Sequence, residues 1–335
     1  MISIIMPIYN GEKFIDNSIS NVLKEKDVEI ELILVNDGSK DNSLAICEKY
    51  ANLDDRIKII NKPNGGICSA RNAGMKAAKG DYISFCDQDD EIINGAYSVF
   101  AKALHAKYFD LVIAGKRLKL IDNKGKIIND RVYRYGDKAV GNKEIIDLVL
   151  NIDRNISLLH IWNCLYRRDI IEKYSIRFDE TFRFGMEDTM FNIEYGVYCK
   201  DAILSNAIVY DYSRRLNVST STKYNEHFLE DYSYFVNKMF TSFNKVYGSK
   251  YKSDVFLYCI RSGIKSFYYL KDNRIDCTNG SIWEKIYSVL IPYKTKRVFH
   301  KKYNPYFWML WLVWLLSDYK CYNIVAALLR IVRPK

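Results

Sequence analysis

The stretch 80–90, GDYISFCDQDD, decides the fold. Tyr82 to Cys86 is a short apolar run of β-formers that reads as a buried strand, and it stops abruptly in Asp87, Asp89 and Asp90. Three carboxylates at one strand end repel one another and raise one another's pKa, which points to a cation among them. Oxygen-only ligands on a basic chain suit Mg²⁺ or Mn²⁺ better than zinc, and such ions commonly bridge a protein carboxylate to substrate phosphates. Taken alone, the same residues also read as an acidic turn capping a helix that starts near Asn94. Their surroundings have to decide.

Working outward, strand and helix alternate. Ile2 to Met6 is an apolar run ended by Pro7, and Phe14 to Leu23 places apolar residues at helical spacing. Ile30 to Val35 is a second strand running into Asn36-Asp37-Gly38-Ser39, after which Ser39 or Asp41 can cap a helix through Leu44 and Ile46. Ile57 to Ile60 is a third strand, and Gly65-Gly66 opens a helix through Ala78 that leads back to Tyr82. Such spacing predicts right-handed βαβ crossovers and an α/β fold with a largely parallel sheet. Ligands of such sheets bind outside the carboxyl ends of the strands. Pro7 to Asn10, Asp37 to Ser39, Asn61 to Arg71 and Asp87 to Asp90 all fall there.

These strand ends suit a nucleotide. Asp37 can accept from a base or ribose donor, Gly65-Gly66 lets backbone approach and starts a helix whose N–H groups suit an anion, and Arg71 adds a cation. Separately, each also reads as an ordinary turn or loop. No G-x-G-x-x-G follows the first strand and no G-x-x-x-x-G-K-[ST] occurs, which argues against a dinucleotide enzyme and a P-loop NTPase.

In order and spacing, MPIYNGEKFIDNSISNVL, LILVNDGSKDNS and NGGICSARNAGMKAAKGDYISFCDQDD resemble the N-terminal half of family-two glycosyltransferases, inverting enzymes of GT-A fold that build bacterial capsule, lipopolysaccharide and related glycans. The resemblance is strong from Ile2 to about Glu91 and thinner to about Tyr212. It implies a nucleotide-sugar pocket lined by Pro7, Tyr9, Asn10, Asp37, Gly66, Arg71, Asp87 and Gln88, with Asp37 on the uracil. It implies Mn²⁺ or Mg²⁺ at the D-x-D, with Asp89 the direct ligand and Asp87 nearer the ribose or an outer shell.

Further along, Leu111 to Ala114 reads as a strand, Leu118 to Tyr133 as a hairpin interrupted at Asp122 to Gly125, and Trp162 to Tyr166 as a strand before a helix from Arg168. Glu187-Asp188 alone is favourable acid in a first helical turn. The resemblance makes it the E-D motif, with Asp188 the base and Glu187 beside it. Displacement at an anomeric carbon needs a carboxylate to take the acceptor hydroxyl's proton, on the sugar face opposite the metal and leaving group. Arg214 and Arg215 match the arginine-rich segment that closes over the diphosphate, and His160 reads either as packed or as an acceptor contact.

The expected division is a catalytic domain over 1–220, its nucleotide half at 1–110 and acceptor half at 111–220, followed by a helical region over 221–335. The stripe Phe228, Tyr232, Phe235, Met239 and Phe243 reads as core. From Lys294 to Lys335, nine basic residues face Asp318 alone, so +8 of the net +10 belongs to this tail. Pro305 to Leu316, PYFWMLWLVWLL, is too short to cross a hydrocarbon core that needs about 20 residues. Trp, Tyr and Lys around it suit an anionic membrane surface; a core helix or homodimer contact is the other reading. Nucleic acid is disfavoured, because these basic residues flank apolar runs. Eight scattered cysteines without C-x-x-C, and a start without a signal-peptide pattern, lead us to expect a cytoplasmic protein peripheral to the inner membrane face.

The expected activity is transfer of a hexose or N-acetylhexosamine from a UDP-sugar to a lipid-linked oligosaccharide. A sugar nucleotidyltransferase is the enzymatic rival, although Pro7 to Lys13 lacks its Gly- and Lys-rich loop; a non-catalytic scaffold of a polysaccharide assembly complex is the rival outside enzymes.

Overall fold

The computed structural model describes residues 1–104, 107–150, 158, 160–182, 185–215, 227–272, 280–294 and 307–331. The chain divides into two compact units, Met1–Ile146 with Leu158–Lys223, and Asp147–Ser157 with Tyr224–Lys335.

The first unit opens with β1 (Ile2–Ile8), α1 (Ile15–Leu23), β2 (Ile30–Asp37), α2 (Ser43–Ala51), β3 (Ile57–Lys62), α3 (Gly66–Ala77) and β4 (Tyr82–Phe85). Every residue of β1 is buried, as expected of a strand flanked on both sides and covered on both faces. β1 lies between β2 and β4, Ile5 pairing with Ile33 and with Phe85, and β2 pairs with β3, all in parallel. The carboxyl ends of the four strands therefore share one edge, the edge that carries Tyr9, Asp37, Lys62 and Asp87.

Next come β5 (Glu91–Ile92), α4 (Ala96–Leu104), β6 (Leu111–Ile121), β7 (Ile127–Tyr133), β8 (Lys138–Gly141), α5 (Asn142–Val149), β9 (Cys164–Arg167), α6 (Arg168–Lys173), α7 (Glu187–Gly196) and β10 (Asp201–Arg215). The sheet order is β3-β2-β1-β4-β9-β6-β10-β5, with β7 paired to β6 and β8 to β10. Antiparallel β9 sits between β4 and β6, so β6 and β10 run the same way as the first four strands. This is the mostly parallel α/β sheet of the GT-A fold. The expected hairpin is β6–β7, closed where Gly125 N donates to the Asp122 carbonyl. Trp162 and Asn163 precede β9 rather than belonging to it, and Asp41, not Ser39, takes the Ser43 amide at the start of α2 (3.0 Å).

The second unit holds α8 (Phe228–Tyr247), α9 (Lys252–Asp272), α10 (Ser281–Ser288), α11 (Phe307–Asp318) and α12 (Tyr322–Ile331). Tyr232, Phe235, Met239 and Phe243 form one buried stripe of α8, as the spacing predicts, whereas Phe228 at its start is only half-buried. No helix among the described residues is long and apolar enough to cross a membrane.

Candidate active site

The acidic motif is held from three directions. Gln88 accepts from Tyr9 N (2.9 Å) and donates to the Tyr9 carbonyl (3.1 Å), tying the loop after β1 to the loop after β4. A Cβ at Gly11 would stand 2.4 Å from Gln88 Oε1 and 2.9 Å from Ile15 Cγ2, so a side chain there would push Gln88 off Tyr9. Asn10, at φ 49°, receives the Lys40 amide on its side chain (2.8 Å) and donates its own amide to Ser39 Oγ (3.0 Å), which adds the loop after β2. Pro7 is buried in β1 and Tyr9 is 45% exposed, so of these two only Tyr9 presents its side chain to solvent.

Asp87, Asp89 and Asp90 have separate fates. Asp90 is buried and accepts from Tyr210 Oη (3.0 Å) and Ser213 N (3.0 Å). Tyr210 Oη also takes the Asp87 amide (3.1 Å), so one hydroxyl fixes both ends of the motif. Burial, with Asp89 and Asp87 adding, pushes the Asp90 carboxyl well above the carboxylate range. The expectation of three carboxylates around one cation thus narrows to Asp87 and Asp89, because Asp90 is consumed as a strut. Asp89 is partly open and faces Arg215 (Nη1 to Oδ2, 3.3 Å); burial, then Asp87, raises its pKa to about 6, against the pull of Arg215.

Arg71 is the hub. It rises from α3, is 1% exposed, and reaches Asp188 Oδ1 (2.7 Å) and Glu187 Oε1 (3.4 Å) through Nη1 and Asp87 Oδ1 (3.1 Å) through Nη2. Phe178 lies under the guanidinium, 5.1 Å from Cζ to the ring centre. Burial opposes the charge, but Asp188, Asp87 and Glu187 outweigh it and hold the arginine firmly ionised. Glu187 and Asp188 begin α7 directly after Gly185 and Met186, both left-handed at φ 69° and 66°. A non-glycine residue held at positive φ stores strain just where the pair is aimed. Burial raises the Asp188 pKa, Arg71 opposes it, and Glu187 and Asp87 add to the rise.

Asp37, expected to contact the base, also has partners within the protein. Its carboxylate is buried and accepts from Gly66 N (2.8 Å), Gly65 N (3.0 Å), Asn64 Nδ2 (3.2 Å) and Lys62 Nζ (2.5 Å). It anchors the loop that opens α3. Arg215 is at the motif, stacked on Phe14 (4.9 Å) and bonded to Asp89, whereas Arg214 is exposed on the alternate side of β10. His160 stacks on Trp162 (4.9 Å), within an aromatic row with Tyr212. A separate cleft of about 510 Å³, lined by Asp81, Tyr108, Arg167, Arg168 and Asp169, lies beside the opposite end of β4.

Among the described residues no group of three His, Cys, Asp or Glu side chains could hold a metal ion. Two neighbouring carboxylates, one of them desolvated and raised, still fit an Mg²⁺ or Mn²⁺ that keeps waters and takes its other ligands from substrate phosphates. Tyr210 is the residue that sequence reasoning missed: nothing local marks a tyrosine in a strand as the anchor of a motif 120 positions away.

The sequence profile named "Glycosyl transferase family 2" matches residues 3–175, about half of the chain, and the chain belongs to that family. It is 35% identical over 193 residues to the "Uncharacterized glycosyltransferase EpsJ" of Bacillus subtilis, covering 58% of this chain and 55% of EpsJ. It is 29% identical over 266 residues to the "Poly(ribitol-phosphate) beta-N-acetylglucosaminyltransferase TarP" of Staphylococcus aureus, covering 76% of this chain and 73% of TarP. The chain spans about half the length of the first of these curated relatives. The structure of S. aureus TarS 1–349 in complex with UDP-GlcNAc superposes with a TM-score of 0.73 at 20% identity, over 98% of this chain and 91% of TarS 1–349, which shows a shared fold.

Proposed function

We propose that this chain is a metal-dependent, inverting glycosyltransferase that moves a hexose or N-acetylhexosamine from a UDP-sugar to a glycan acceptor in cell-surface polymer synthesis. The observation that carries the reading is the Arg71 hub, where residues 71, 87, 187 and 188, distant in sequence, meet through one buried guanidinium. Relatives named as glycosyltransferases and a fold shared with a UDP-GlcNAc complex support the donor class.

Asp188 takes the proton of the acceptor hydroxyl. Its raised pKa makes it a stronger base than a solvated aspartate, and Arg71 fixes its orientation. Asp87 is addressed by the other guanidinium nitrogen, so the base and the metal-side carboxylate are set by one rigid group. Asp89 and Asp87 would hold Mn²⁺ or Mg²⁺, which would supply positive charge for a departing diphosphate. Arg215, at Asp89, is placed to exchange its carboxylate for that diphosphate. Tyr9, Asn10 and Gln88 form the wall for the nucleotide.

The test is UDP release from a panel of UDP-sugars with Mn²⁺, comparing wild type with Asp89→Ala and Asp188→Asn. Turnover by wild type alone supports the assignment. Equal turnover by all three overturns it, and no turnover with any donor favours a non-catalytic scaffold.

The same reading places the protein on the inner face of the membrane, with a lipid-linked acceptor, through α11, α12 and the basic residues around them. α11 is nearly uniformly apolar, and Leu312 and Ile324 (36% and 52% exposed) face outward while Val313 and Ala326 are buried.

A further inference from the structure

Lys116 of β6 is the one lysine of the chain that the described structure buries, at 4% exposed, and its ammonium makes no ion pair or hydrogen bond with a described residue. It lies 4.9 Å from the Trp162 ring centre and 6.0 Å from that of Tyr133. Trp162 in turn stacks on Tyr210 (4.4 Å), Tyr212 (5.5 Å) and His160 (4.9 Å). Tyr210, the register partner of Lys116, is the residue that anchors the acidic motif.

The placement is built into the backbone. The β6–β10 register shifts twice between Leu204 and Tyr210, directly before the Lys116 pairing, and such bulges re-aim neighbouring side chains. A Cβ on Gly115 would come within 2.8 Å of Ile208 Cδ1 and the Tyr133 carbonyl, so glycine is required for this close packing. An ammonium taken out of water without a counter-ion is costly. Aromatic faces repay a part of that cost, and an incoming anion would repay the rest.

We propose that Lys116, backed by Trp162 and the His160–Tyr212 row, forms an acceptor subsite for a sugar or polyol carrying an anionic group, phosphate or carboxylate, close to its reacting hydroxyl. The position relative to the reaction rests on the reading of Asp188 as base: Tyr210, which pairs with Lys116 and stacks on Trp162, holds the Asp87 amide (3.1 Å), and Arg71 ties Asp87 to Asp188. The aromatic row offers a stacking face to the ring or chain, and the ammonium offers three donors to the anion. Neither task involves the donor's diphosphate, which belongs to Asp89 and Arg215.

The test uses full-length protein saturated with UDP, titrated with glycerol phosphate, glucuronate or glycerol. Wild type should bind one of the two anions at least about tenfold more tightly than glycerol, as a charge-assisted hydrogen bond implies, and the better anion identifies the source. Lys116→Met should lose that preference while binding UDP as wild type does. Anion binding no better than glycerol in wild type, or a preference that survives in Lys116→Met, overturns the proposal. A second measurement needs no variant. Burial pulls the Lys116 pKa down to about 8, with Cys164 on β9 and Asp188 on α7 pulling it back, while Tyr133 and Tyr210 are the titratable neighbours on β7 and β10. The anion preference of wild type should therefore fade between pH 7 and 9, and a preference undiminished at pH 9 also overturns the proposal. Asp188→Asn separates the two readings: it should keep the anion preference, so turnover by this variant would defeat the base assignment and leave the subsite standing.

Discussion

Two arginines address the same acidic motif, and they do so in opposite ways. Arg71 comes from the middle of α3, is fully enclosed, and divides its two terminal nitrogens between Asp87 and the Glu187–Asp188 pair. Arg215 comes from the last residue of β10, keeps 25% of its side chain exposed, and makes one 3.3 Å contact with the Asp89 carboxylate. The first is a fixed part of the scaffold, because removing it would strand three carboxylates. The second is partly open, and on the proposed mechanism it is the counter-ion that the diphosphate displaces. In that mechanism the enclosed arginine holds the base and the open one receives the diphosphate.

The largest effect that would break this contrast belongs to Arg71. Arg71→Met should lower the unfolding free energy by about 3–5 kcal/mol, the range for breaking a buried ion pair from one side. Arg71→Lys should recover only part of it, since one ammonium cannot span both arms of the guanidinium. A denaturant midpoint for Arg71→Met equal to wild type would show the hub to be dispensable. Next is Asp188→Asn, expected to cut turnover by about 10²–10⁴-fold while UDP affinity stays near wild type. A matching loss of UDP affinity would place Asp188 in donor binding instead.

Arg215→Gln sharpens the other half. Stability should change by no more than about 1 kcal/mol, as for an exposed pair, while UDP affinity in Mn²⁺ falls by about tenfold. The Asp89 carboxyl, raised to about 6, provides a further check without any ligand. Carboxyl NMR should show it titrating near that value, higher in Arg215→Gln and lower in Asp87→Asn, because Arg215 lowers it and Asp87 raises it. The sign for stability follows. A carboxyl raised in the folded state costs stability above its unfolded value near 3.8, and the cost is relieved as pH falls through about 6. Asp89→Asn should accordingly be more stable than wild type at pH 7 and no more stable near pH 4.

Much of the fold was legible because its signals are local. β1 to β4 are apolar runs separated by amphipathic helices, and their ends carry the polar residues that a parallel sheet presents to a ligand. The antiparallel insertion of β9 between β4 and β6 was not legible, since a four-residue strand, CLYR, carries no mark of its partners. At the site, Arg71, Asp87, Asp89, Glu187 and Asp188 could each be named, but not that the Arg71 guanidinium joins Asp87 to Glu187 and Asp188, 116 and 117 positions away from it. Asp90 looked equivalent to its neighbours until Tyr210 and Ser213 claimed its oxygens. Lys116 gave no signal, because a lysine in a strand is ordinarily a solvated one and nothing local in the sequence marks this one as buried.

The contrast between enclosed and open groups recurs in apolar form at the carboxyl-terminal helices, and it decides how the membrane reading is tested. Val313, Val325, Ala326 and Leu329 are enclosed, and Trp283 Nε1 donates to Ser317 Oγ at 2.7 Å, so deleting the tail would uncover the core of the second unit. Leu312 and Ile324 are open, like Arg215, and can be changed without opening that core. Leu312→Glu with Ile324→Glu should leave the unfolding midpoint nearly unchanged and weaken binding to anionic vesicles by a few-fold, as expected when two apolar contacts among several are lost. Wild-type protein that fails to pellet with phosphatidylglycerol vesicles, or a double variant that binds them equally, would mean that these open residues serve some contact other than lipid.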